Sequence, residues 1–61
     1  MSKTNKDLAK EAKEDLKRSA KEARKASDKF KVIGDPDGKM LADDAADAAD
    51  KGVGYVDERL E

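Results

Sequence analysis

The chain has no cysteine, no histidine and no tryptophan, a single proline, and only two aromatic residues, Phe30 and Tyr55. Each absence closes off some chemistry. Without cysteine there is neither a disulfide nor a thiolate metal site, and the redox compartment stays open. Without histidine the commonest general base and metal ligand is missing. No apolar run approaches the roughly 20 residues of a membrane span, and no signal-peptide apolar region follows Met1. The expectation is a soluble, cytoplasmic protein. No Ser or Thr has a His partner for nucleophilic catalysis, and Gly52-Val53-Gly54 is neither GxGxxG nor a Walker loop. A chain of 61 residues can hardly desolvate a pocket around paired carboxylates. The expectation is a non-enzyme with no cofactor, no metal and no small-molecule substrate.

What the chain has is charge, 48% of its residues, and alanine. Alanine adds little buried area, and apolar burial contributes roughly 25 cal/mol per Å² against about 1.5 kcal/mol per residue of ordering entropy. A core made from this chain alone is therefore thin, and helix propensity, self-association or a partner must supply the rest. The net charge of −1 conceals an asymmetry. Residues 1–33 hold eleven Lys or Arg against six Asp or Glu, and residues 34–61 hold three against nine. A +5 half and a −6 half suggest internal complementarity before an anionic partner.

The run NKDLAKEAKEDLKRSAKEARKASDKFKVI, residues 5–33, carries apolar side chains at Leu8, Ala12, Leu16, Ala20, Ala23, Ala26 and Phe30, in steps of three and four. That period predicts a helix over about 5–31. Thr4 and Asp7 have the spacing of a capping box, and Met1 to Thr4 reads as a frayed tail. Gly34 stands where a helix C′ residue belongs, and Asp35-Pro36 suits an N-cap followed by N1. Pro36-Asp37-Gly38 is also a turn signal, and Phe30 to Ile33 alternates, so a short strand and hairpin compete at this point. Beyond a turn at 34–38, Leu41, Ala45, Ala48, Ala49, Val53, Val56 and Leu60 repeat at helical spacing, with Asp43, Asp47, Asp50 and Asp57 on the opposite side. This predicts an acidic helix from about 39 to 51 or 60. Gly52 and Gly54, each costing about 1 kcal/mol in a helix interior, leave its end undecided; alternatively, small Gly and Ala faces let two helices approach closely.

The fold class expected is all-α: one domain, 1–61, forming an antiparallel two-helix hairpin, with a dimer as an open alternative. Leu60-Glu61 also matches the pair that joins many chains to an affinity tag, so a cloning remnant is an alternative reading there. The buried seam is expected at Leu8, Leu16, Phe30, Ile33, Leu41, Val53, Val56 and Leu60. Lys and Asp residues would set orientation and partner choice.

LAKEAKEDLKR, residues 8–18, and SAKEARKASDK, residues 19–29, share Ala-Lys-Glu-Ala in register at an eleven-residue interval. AKEAKED and AKEARKA resemble the repeats of group 3 late-embryogenesis-abundant proteins. That resemblance covers a third of the chain and implies a stress protein, disordered in water and helical on drying or on membranes.

Other chemistry is weaker. Placing Gly38 at the sixth position of an EF-hand loop puts Asp35, Asp37 and Asp44 at positions three, five and twelve, but Ile33 at the first, where a carboxylate is needed. Asp43, Asp44, Asp47 and Asp50 have the spacing to meet a hard cation or to form a solvated face. Lys3, Lys6, Lys10, Lys13, Lys17, Lys21 and Lys25 could track phosphates, yet acids interleave them and no stacking aromatic accompanies them. Nucleic acid is therefore not the expected partner. A membrane surface is a further candidate, with Leu8, Leu16 and Phe30 as its few anchors. The reading that covers most of the chain is a non-catalytic helical module that presents a face to a protein partner or to its own copy.

Overall fold

The computed structural model describes residues 2–60; Met1, the start of the expected tail, and Glu61, half of the terminal Leu-Glu pair, lie outside the described residues. Two helices, α1 (Asn5–Ile33) and α2 (Pro36–Tyr55), pack against each other as a hairpin, and a π-helical turn, Val56–Leu60, continues α2. No strand is present among the described residues, and Phe30 to Ile33 complete α1. No helix among them is long and apolar enough to cross a membrane.

The ends of the helices follow from local chemistry. The Asp7 amide donates to Thr4 Oγ1 at 3.1 Å and the Thr4 amide to Asp7 Oδ2 at 3.3 Å, a reciprocal capping box. At the other end Gly34 takes φ +82°, the left-handed conformation that glycine adopts without a steric penalty. Its amide bonds the carbonyls of Phe30 and Lys31 at 3.0 and 3.2 Å, and the Asp35 amide reaches Phe30 at 3.0 Å, closing a Schellman motif. Asp35 then does two jobs. Preceding a proline, it is extended, and its carboxylate accepts from the Gly38 amide at 3.1 Å as the N-cap of α2. Helix therefore resumes at Pro36, and the expected five-residue turn shrinks to Gly34 and Asp35.

The seam is made of small residues. Ala9, Ala20 and Ser27 of α1 are buried, with Lys13, Leu16, Ala23 and Phe30 half-buried between them. From α2 come Ala42, Ala46 and Ala49, buried, and Val53, half-buried, and the π-helical turn adds the buried Val56. On both helices these positions alternate steps of four and three, the 3.5-residue spacing of helices packed at a shallow angle.

Gly38 and Gly52 explain how such a seam holds its two large side chains. A Cβ on Gly38 would lie 2.5 Å from the Phe30 ring, and one on Gly52 would lie 2.9 Å from Leu16 Cδ1. Each glycine is thus a socket for a side chain of α1. Gly52 does not end the helix; it lets α2 pass close to Leu16. Gly54 has nothing within 4 Å of its missing Cβ and plays no such part.

Candidate interaction surface

The seam divides the hairpin into two flanks of different chemistry. On one, every seventh residue of α1 is basic: Lys10, Lys17, Arg24 and Lys31. Every seventh residue of the facing edge of α2 is acidic: Asp43, Asp50 and Asp57. Arg24 Nη2 pairs with Asp50 Oδ2, and Lys13, from the seam itself, reaches Asp57 at 2.6 Å. The Lys13 side chain is only 20% exposed, so this bond is screened less than the others. Asp43 accepts from Lys39 at 2.8 Å and from the buried Ser27 hydroxyl, and these hydrogen bonds hold its carboxyl below the usual carboxylate range. The same bond, with the charge of Asp43, raises Lys39 above its ordinary value.

The aspartates expected on the far side of α2 are therefore split. Asp43, Asp50 and Asp57 lie at the edge of the seam and face α1, while Asp47 and Asp44 turn outward and are exposed or nearly so. Pro36 to Asp44 is helical, so the residues that an EF-hand loop would need do not form a loop. No three carboxylates converge into a cation site among the described residues. Three of the seven lysines of the ladder carry a counter-charge from α1: Lys3 with Glu11 at 2.5 Å, Lys17 with Glu14 at 3.7 Å, and Lys25 with Glu22 at 3.3 Å. Arg18 pairs with Asp15 in the same way. Such exposed pairs each contribute about 0–1 kcal/mol.

The opposite flank is small and uncharged for most of its length. Ala12, Ser19, Ala26 and Ile33 edge the seam from α1, and Gly38, Ala45 and Gly52 edge it from α2. The contacts of Leu16 with Gly52 and of Phe30 with Gly38 fix this side, just as the ion pairs fix the other. One position further out, α2 presents Leu41, Ala48 and Tyr55, and α1 presents Leu8 at the open end.

Of the eight expected seam residues, Val56 is buried and Leu16, Phe30 and Val53 are half-buried at the helix–helix contact. Leu8, Ile33 and Leu41 are 51%, 73% and 68% exposed and stand on the uncharged flank; Leu60 is exposed at the open end. The residues that apolar spacing missed are Ala9, Lys13 and Ser27 of α1 and Ala42 and Ala46 of α2, each one place along from a residue that it picked. The signal that finds them is the strict alternation of four and three, which admits a lysine and a serine. The socket at Gly38 left no such trace, while that at Gly52 matches the reading in which a small Gly and Ala face lets two helices approach closely. Compared with protein-family models, curated proteins and solved structures, the chain shows no match to any of them.

Proposed function

We propose that the protein is a non-catalytic helical interaction module that acts in the cytoplasm by presenting one face of a two-helix hairpin to a protein partner or to its own copy. One observation supports this above the rest. The charges that orient the two helices are spent on one flank, while four of the seven large exposed apolar side chains among the described residues, Leu8, Ile33, Leu41 and Tyr55, lie on the other. Isolated exposed apolar residues are ordinary, but a set of them on one face is a feature of interaction sites. A chain whose buried residues are mostly alanine also gains more from covering such a face than a chain with a full core.

The competing reading, a stress protein that is a coil in buffer and helical on lipid, makes a different prediction. Far-ultraviolet circular dichroism at neutral pH, with and without vesicles of mixed neutral and anionic lipid, separates the two. The interaction module is helical in buffer, with a cooperative thermal transition that vesicles leave unchanged. A coil that turns helical only when vesicles are added would overturn it.

A further inference from the structure

We infer that the occupant of the uncharged flank is a second copy of the chain, laid face to face so that α1 of each copy covers α2 of the other. This rests on the interaction-module reading above and names its partner. Three observations lead to it.

The first is area. The hairpin is a slab 48 Å long, 22 Å wide and 10 Å thick, so its broad face has an outline of about 1,000 Å². A standard stable interface takes roughly 800 Å² from each partner. One copy laid squarely on another supplies that area.

The second is charge. Two hairpins meeting by the same face are related by a two-fold axis in the interface plane. If that axis lies across the hairpin, α1 covers α1 and the +5 half meets another +5 half. If it lies along the hairpin, α1 covers α2 and the +5 half meets the −6 half. Like charges placed face to face destabilise, and opposite charges steer and fix register. The axis along the hairpin is therefore selected, and the turn of one copy lies beside the turn of the other.

The third is shape. Leu16 sits at the height of Gly52, and Phe30 at the height of Gly38. By the same register Leu41 lies level with Ser27, and Tyr55 level with Lys13. An axis along the hairpin preserves these heights between copies. The large side chains Leu41 and Tyr55 of one copy then lie over α1 of the other, Leu41 between Ala26 and Lys29 and Tyr55 between Ala12 and Asp15, twice over by symmetry. Between them Ala48 lies between Ser19 and Glu22, and Ser19 faces the small Ala45 and Gly52, so the helices approach closely at the middle. Asp15, Glu22 and Lys29 fall at the outer rim, where they stay in water.

Sedimentation equilibrium on the full chain, with circular dichroism on the same samples, tests the inference. A helical dimer is expected. The double variant Leu41→Glu, Tyr55→Glu should raise the dissociation constant by roughly 100-fold. Val32→Glu, on the outward side of α1, should leave the constant unchanged; its side chain is 88% exposed. A chain that is helical and monomeric up to about 1 mM overturns the inference and leaves the module reading standing. A coil overturns both. Spin labels on a Val32→Cys chain test orientation without disturbing the flank. The expected separation between copies is set by the 22 Å width of the slab and not by its 48 Å length, because the turns lie together. A separation near the full length, or no dipolar coupling in a helical sample, contradicts the arrangement.

Discussion

The two flanks of the seam are built from the same helices at the same spacing, yet one is a ladder of charges and the other a strip of Ala, Ser and Gly. On the charged flank, Arg24 with Asp50 and Lys13 with Asp57 tie α1 to α2 through exposed and partly exposed bonds. On the uncharged flank, Phe30 and Leu16 tie the same helices through sockets at Gly38 and Gly52. The difference teaches how a chain with almost no large core residues divides its tasks. Ion pairs worth about 0–1 kcal/mol each set which helix edge faces which. Close apolar packing supplies the tighter contact, and its small residues leave that flank smooth enough for a second surface.

The comparison is broken most directly at Gly38. Replacement by Ala places a Cβ 2.5 Å from the Phe30 ring, and the expected cost is about 1–3 kcal/mol, larger than any gain in helix propensity. Thermal unfolding of Gly38→Ala checks it, and a rise in midpoint would mean that the ring is not seated there. Gly54→Ala sharpens the point from the other side. With open space at that position, the variant should be more stable by up to about 1 kcal/mol, read in the same scan.

Proton titration probes the charged flank alone, with a smaller effect. Asp43 has a folded pKa below its ordinary 3.8, so its contribution is present above that value and is lost as pH falls through the depressed one. Lys39 has a folded pKa above its ordinary 10.5, so its contribution is present below 10.5 and is lost as pH rises through the raised value. The unfolding midpoint should therefore be flat between these limits and fall outside them. In Asp43→Asn both edges should flatten, since the bond to Lys39 is gone. The smallest effect belongs to a single exposed pair. A double-mutant cycle on Arg24→Ala and Asp50→Ala should return a coupling of about 0.5 kcal/mol, weakening with added salt.

Much of this hairpin is written in its sequence. The Thr4 and Asp7 capping box, the stop at Gly34 and the restart at Asp35-Pro36 depend on a few neighbouring residues and were legible from them. The charge split between halves likewise foretold which helices would lie together. The seam itself was legible only to within one residue. Leu8, Ala12 and Ala26 are more apolar than Ala9, Lys13 and Ser27, so a count of apolar residues finds Leu16, Ala20, Ala23 and Phe30 but strays at those three places, where Asp57 and Asp43 meet the lysine and the serine. Gly52 was ambiguous for a related reason. Its cost to an isolated helix is real, but Leu16 lies 36 positions earlier in the chain and fills the space that the missing side chain leaves. Pairings of that kind depend on the fold, and no local propensity contains them.

The central claim is that the uncharged flank is the face that meets a partner, with a second copy as that partner. Amide chemical shifts followed by nuclear magnetic resonance over a dilution series test it residue by residue. The account predicts concentration-dependent shifts at Ala12, Ser19, Ala26, Leu41, Ala48 and Tyr55, with Lys10, Lys17, Arg24 and Asp50 unmoved. Shifts confined to the charged flank, or a helical spectrum that does not change with concentration at all, would contradict it.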